Sequence, residues 1–179
     1  MNTGWMATWT TSLLVTAAAT AGQTVTFELI PQAASANDMS PDGRFVVGES
    51  DVNGDGNVDG TYLWDRVLDT FTILPAEGLD AVGVSNNGKF IVGDMLNPEG
   101  DGSEVAGRWN ETTNTWESLG YLPNALQCPS RSNSYEITAT GNKVVGLSWD
   151  GCSGRGFQWT GTGGMEELES LANGSNRAS

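Results

Sequence analysis

Ser40-Pro41-Asp42-Gly43-Arg44-Phe45-Val46-Val47-Gly48 decides the fold, because this stretch returns twice in the 179-residue chain. After 45 residues stands Ser85-Asn86-Asn87-Gly88-Lys89-Phe90-Ile91-Val92-Gly93, and 53 residues beyond that Thr138-Ala139-Thr140-Gly141-Asn142-Lys143-Val144-Val145-Gly146. Each copy keeps a hydroxyl, a turn glycine, a cation and an apolar run. The glycine supplies the positive φ that a tight hairpin demands. The run after it is nearly all apolar, as in a strand covered on both faces.

Landmarks downstream keep step with these stretches. Trp64, Trp109 and Trp159 follow the last glycine of each copy by 16, 16 and 13 residues, and Leu74, Leu119 and Leu168 follow the tryptophans by 10, 10 and 9. Length changes therefore fall in connections while the strands persist. In the first copy four short strands are expected, around residues 37–40, 44–49, 61–64 and 70–74. Four antiparallel strands in a unit of about 45 residues have the dimensions of a propeller blade. The expected fold is all-β: three tandem four-stranded antiparallel blades of a partial β-propeller, at about residues 33–75, 78–120 and 131–169 of a repeat region spanning 22–179. Residues 27–31 resemble residues 71–75 and are expected to form a stray closing strand. Three blades leave two open sheet faces, so further blades or self-assembly are expected. The recurrent tryptophan holds one strand position and is expected to pack blade against blade; a sugar-stacking platform is the alternative.

Composition narrows the function. The 22 acidic residues against 8 basic ones give a formal charge of −14, which repels phosphate backbones and anionic headgroups, so nucleic acid is excluded as a partner. Histidine is absent, which removes the usual general base near neutral pH and the commonest transition-metal ligand. Carboxylate pairs remain a route to acid–base chemistry, but so many acids create pairs by chance. No catalytic residue is assigned, and the chain is read as non-enzymatic.

Ser12 to Ala21 reads Ser-Leu-Leu-Val-Thr-Ala-Ala-Ala-Thr-Ala, an apolar stretch ending on the small-x-small pattern that precedes signal cleavage. Residues 1–21 are thus expected to be a signal peptide, and the protein extracellular or periplasmic. The first Lys or Arg is Arg44, so only the α-amino group supplies the cationic start. The alternative is a reading frame that begins upstream of the first ordered strand. The stretch is too short to span a bilayer.

Gly154-Arg155-Gly156-Phe157-Gln158-Trp159-Thr160, followed by Gly164-Met165-Glu166-Glu167-Leu168, resembles the bacterial extracellular HAF repeat, and the resemblance spans roughly residues 27–179. Ser40-Pro41-Asp42-Gly43-Arg44-Phe45 and Tyr62-Leu63-Trp64-Asp65 are similar to the blade opening and third strand of TolB-like propellers. Both resemblances imply a propeller, and the first also implies export without an established chemistry. No copy carries the His-Ala-Phe triplet; Gly60-Thr61-Tyr62-Leu63 and Val105-Ala106-Gly107-Arg108 stand there instead.

Between the second and third expected strands of the first unit lies Asp51-Val52-Asn53-Gly54-Asp55-Gly56-Asn57-Val58-Asp59. Oxygen-bearing side chains at Asp51, Asn53, Asp55 and Asp59, with Asn57 offering its carbonyl, suit calcium, a hard cation that takes six to eight oxygens at about 2.3–2.6 Å. The loop is similar to the nine-residue DxDxDG loop of integrin-type blades. Three clustered carboxylates repel one another without a cation, so calcium is expected to order the loop. The alternative is a plain hairpin loop whose Asn-Gly and Asp-Gly pairs supply turns. Residues 97–102 are a weaker echo in the second unit.

Cys128 precedes the first strand of the third unit and Cys152 follows its second. An antiparallel hairpin brings those ends together, so an exported chain is expected to join them in a disulfide stabilising by roughly 3 kcal/mol; two unpaired thiols in a cytosolic chain are the alternative. The leading expectation is a non-catalytic exported module acting as a binding or scaffold surface for a protein or carbohydrate ligand. The alternatives are a fragment of a propeller glycosidase or lyase whose catalytic blades are missing, and a secreted structural protein that assembles through blade edges.

Overall fold

The computed structural model describes residues 26–100, 102–123, 130–149 and 153–169. Twelve strands there form three sheets. β1 (Asp38–Met39), β2 (Phe45–Ser50), β3 (Gly60–Asp65) and β4 (Thr70–Ile73) make the first, in sequence order and antiparallel throughout. β5 (Gly83–Val84), β6 (Phe90–Leu96), β7 (Glu104–Asn110) and β8 (Thr115–Gly120) make the second, and β9 (Arg131–Ile137), β10 (Lys143–Trp149), β11 (Gly154–Thr160) and β12 (Gly164–Glu167) the third. The fold is all-β, with three tandem four-stranded blades of a partial β-propeller. Strand pairing verifies the repeat register: Val46 stands opposite Trp64, Ile91 opposite Trp109, and Val144 opposite Trp159.

The chain divides into two units, Met1–Pro31 and Gln32–Ser179, and all three blades belong to the second. The division falls after Pro31, ten residues beyond the end of the expected leader. Residues 27–31, expected as a closing strand, form none, and Phe27 and Leu29 are exposed. A strand persists only where a neighbour takes its backbone N–H and C=O groups, and these residues pair with no described strand. The expected signal peptide, residues 1–21, lies outside the described residues, as do Cys128 and Cys152. Among the described residues no helix is long and apolar enough to cross a membrane.

One hairpin opens every blade. The Ser40 hydroxyl accepts the Phe45 N–H at 2.9 Å and donates to Asp42 Oδ1 at 2.6 Å. That hydroxyl, with the Arg44 N–H, holds the Asp42 carboxyl below its ordinary range. Ser85 does the same with Phe90 and Asn87, both at 3.0 Å, and Thr138 with Lys143 at 3.2 Å and Asn142 at 2.9 Å. Gly43, Gly88 and Gly141 close these turns at φ of 74°, 69° and 75°, a region open to glycine.

The apolar cores lie between blades. Alternate residues of a strand face opposite sides of its sheet, so Phe45, Val47 and Leu74 of the first blade meet Ile91, Met95, Val105 and Trp109 of the second. Val92, Ala106 and Leu119 of the second blade, on the other face, meet Val144, Phe157 and Trp159 of the third. Trp109 and Trp159 therefore pack blade on blade. A ring-on-turn contact repeats at each seam: a Cβ on Gly88 would lie 2.7 Å from the Phe45 ring, and one on Gly141 would run into Phe90.

Gly48, Gly93 and Gly146 close the apolar runs for a different reason. A Cβ there would collide with the carbonyl oxygens of Ser35 and Asp80, on the segments entering the first strands of their blades, and of Asn133, within β9 itself. In the first blade that carbonyl also accepts the Tyr62 hydroxyl at 2.9 Å, and burial pushes Tyr62 up to about 12.

Candidate functional site

The turns joining β1 to β2 and β3 to β4 lie at one end of the first blade, and the β2–β3 connection at the other, because the strands alternate in direction. Six residues of β2 separate the ends by roughly 20 Å. The acidic loop occupies the second end and an inter-blade cleft the first.

The loop is organised by backbone donors. Asp51 Oδ1 accepts from Gly54 N at 2.8 Å and Asp55 N at 3.1 Å, while its Oδ2 accepts from Gly56 N at 2.9 Å. Asp59 Oδ2 takes the N–H groups of Val52 and Asn53 at 2.8 and 3.2 Å, and its Oδ1 takes Asn53 Nδ2 at 3.3 Å. Asn53 Oδ1 accepts Asp55 N at 2.9 Å, and Asp55 Oδ1 accepts Asn57 N at 2.8 Å. Gly54 and Gly56 allow the tight path with φ of 74° and 86°. Asp51, Asn53, Asp55 and Asp59 thus share one hydrogen-bonded loop, which Asn57 joins through its backbone N–H. Among the described residues no three His, Cys, Asp or Glu gather as a metal-holding group.

The cleft, about 470 Å³ in volume, opens between the first two blades. Such a volume suits a small ligand or one inserted side chain. Its floor is Phe45, Leu63 and Trp109, and its walls carry Arg44, Asp65, Thr70 and Thr72 from the first blade and Lys89, Glu111 and Asn114 from the second. Asp65 grips Arg44 through Nε at 3.0 Å and Nη2 at 2.7 Å, and also takes the N–H groups of Val67 and Leu68. The guanidinium holds the Asp65 carboxyl below its ordinary range, and the carboxylate raises Arg44 in turn. Arg44 also lies over the Phe45 ring, 4.7 Å from its centroid.

The second seam is built differently at the same positions. Arg108 occupies the place of Leu63, and Glu117 that of Thr72, as the pairing of Leu63 with Thr72 and Arg108 with Glu117 establishes. The Arg108 guanidinium sits 4.7 Å from the Phe90 centroid and 4.5 Å from that of Trp159. It donates to Gly141 O at 2.9 Å and pairs with Glu117. One seam therefore fills its interior with an arginine, and the other keeps an opening beside its Arg44–Asp65 pair.

A second feature of this seam is Asp94 on β6, which accepts a hydrogen bond from Asn133 Nδ2 across the blades and keeps Oδ1 buried without a partner. Burial, reinforced by Asp80 and Glu104, raises this carboxyl to about 6 despite the hydrogen bond. Arg44, Phe45, Asn87, Gly88 and Lys89 of the cleft lie in the repeated hairpin stretch and Trp109 is a repeat landmark, but no motif marks these positions as a cleft, and Asp94 lies just outside the hairpin stretch. The available signal was the place where aligned copies differ, Leu63 against Arg108 and Thr72 against Glu117.

No protein-family model matches the chain, and no curated protein matches its sequence. Solved structures do. TolB from Acinetobacter baumannii superposes with a TM-score of 0.53 at 15% identity, over 74% of this chain and 31% of that one. A structure from a study of two prolyl endopeptidases superposes with a TM-score of 0.53 at 10% identity, over 76% of this chain and 22% of that one. The chain thus spans a third or less of the length of these relatives, and the similarity identifies its fold as that of a β-propeller segment.

Proposed function

We propose that this chain is a non-catalytic, exported propeller module that acts as a binding surface, with calcium stabilising the loop of its first blade. The observation that carries the reading is the cleft between the first two blades, open where the second seam is closed by Arg108. Its walls mix hydroxyl, amide and charged groups over an apolar floor, a lining suited to recognition. The leader-like residues 12–21 and the HAF-type repeats support export.

Calcium is supported by the donor set of Asp51, Asn53, Asp55, Asn57 and Asp59, four oxygen-bearing side chains and the Asn57 carbonyl on alternate residues. Backbone N–H groups now balance the Asp51 and Asp59 charges, and a bound cation would take over that role. Saturating calcium is expected to raise the melting temperature by roughly 5–10 °C over chelator, and Asp59→Asn to remove most of the rise. A melting curve indifferent to calcium refutes the metal site.

The binding role is tested separately. The whole chain and a Thr72→Trp variant, which plugs the cleft, are applied to peptide and glycan arrays. Ligands captured by the native chain and lost with the plug are expected. Arrays with no plug-sensitive signal reject the cleft as a binding surface.

A further inference from the structure

We propose that the cleft between the first two blades takes the guanidinium of an arginine side chain presented by a partner polypeptide. The inference rests on the reading of that cleft as a binding surface and names its ligand. The second seam is the template: there a guanidinium already lies between two rings, bonded to a turn carbonyl and a carboxylate. The first seam repeats the surroundings, with Phe45 at the position of Phe90, Trp109 at that of Trp159, and Gly88 at that of Gly141. The arginine and its cross-strand acid are replaced by Leu63 and Thr72, and Arg44 and Asp65 stand where the second blade has Lys89 and Asn110. Two shorter side chains thus leave room where the repeat is otherwise built to hold a planar cation.

Arg44 does not refill that room. Its guanidinium covers Phe45 but is tied to Asp65 by three hydrogen bonds of 2.7 to 3.2 Å, and among the described residues no cation lies over Trp109. Charge is compatible as well. Arg44 and Lys89 offset Asp65 and Glu111, so the cleft is formally neutral, and an added guanidinium gives a single positive charge. Glu111 is exposed on the wall and supplies a carboxylate as Glu117 does for Arg108. The net charge of −14 draws a basic partner toward the surface. A planar fork that both stacks and bonds distinguishes arginine from lysine here.

The test titrates N-acetyl-Gly-Arg-Gly-amide, and its lysine and citrulline counterparts, into the whole chain while following the Trp109 indole N–H by NMR. That N–H donates to Asn114 at the cleft wall. Arginine is expected to bind at least roughly tenfold tighter than citrulline and several-fold tighter than lysine, with a dissociation constant below about 10 mM. L63R/T72E, which rebuilds the Arg108–Glu117 pair, is expected to fold and to abolish binding. Glu111→Gln, at an exposed position, is expected to weaken binding several-fold without changing the fold. Equal binding of arginine and citrulline, binding unaffected by both L63R/T72E and Glu111→Gln, or no binding at about 10 mM peptide overturns the proposal. If the arrays return plug-sensitive ligands while the arginine peptide is silent, the guanidinium assignment falls and the binding surface stands; silence in both removes both.

Discussion

Gly48, Gly93 and Gly146 have backbone angles open to other residues, yet each lies where a side chain would strike a carbonyl of its own blade. Gly93→Ala is therefore expected to destabilise by about 3 kcal/mol, the upper range for overpacking a rigid interior, because backbone on both sides must move. Denaturant unfolding measures this, and a loss below about 1 kcal/mol contradicts the contact. The recurrence of these glycines was legible in the sequence, but their cause was not, since the opposing carbonyl belongs to a segment that only the fold brings near. Asp94 was illegible for the same reason: nothing in Phe-Ile-Val-Gly-Asp marks its acid as buried beside Asn133 of the next blade. Its folded value near 6 stands above the ordinary 3.8, so the folded state holds this proton more tightly than the unfolded chain. Its contribution to stability is complete below about 4 and is lost as pH rises through about 6. Asp94→Asn, which keeps an acceptor for Asn133 without the charge, should flatten that dependence and stabilise the protein at pH 7 by roughly 1–2 kcal/mol. Melting the two proteins at pH 4, 5, 6 and 7 checks the sign; parallel profiles contradict it.

Hairpins and strands were the most readable level, because their determinants are local. A hydroxyl three residues before glycine, followed by a cation and apolar residues, located β1–β2, β5–β6 and the start of β10 to within a residue or two. The exception, residues 27–31, had a strand-like sequence but no ladder partner among the described residues, and pairing lies outside what a local pattern encodes. The acidic loop was legible as a donor pattern, whereas the cleft is defined by side chains that two blades leave short. The turn hydroxyl is an element-scale device with a graded test. Ser40 Oγ accepts Phe45 N–H at 2.9 Å in a buried setting, whereas Thr138 makes its 3.2 Å bond in an exposed one. Ser40→Ala should cost about 1–2 kcal/mol by leaving a buried N–H without its acceptor, and Thr138→Val under about 0.5 kcal/mol, because water replaces the lost partner. Equal losses in urea unfolding would place the value of the hydroxyl in turn propensity and not in the buried bond.

In the whole molecule, stability resides in the seams, since each sheet buries its faces only against its neighbours. The repeat offers three equivalent positions for measuring this. Val47 is buried against the second blade and Val92 against the third, both 0% exposed, whereas Val145 is 41% exposed on the outer face of the third. Leu74, Leu119 and Leu168 follow suit, at 4%, 6% and 40%. The hydrophobic effect depends on area removed from water, not on residue type, so the same truncation must cost different amounts along the series. Val47→Ala and Val92→Ala are each expected to destabilise by about 2 kcal/mol, from lost burial and the cavity left behind, and Val145→Ala by less than about 0.5 kcal/mol. An oligomer or added blade covering the third sheet would erase that difference, since Val145 would then be as costly to truncate as its two counterparts. The three variants, unfolded in urea across a range of protein concentration, separate the cases: a small, concentration-independent loss at Val145 means a bare face, and a loss near 2 kcal/mol means that self-association has covered it.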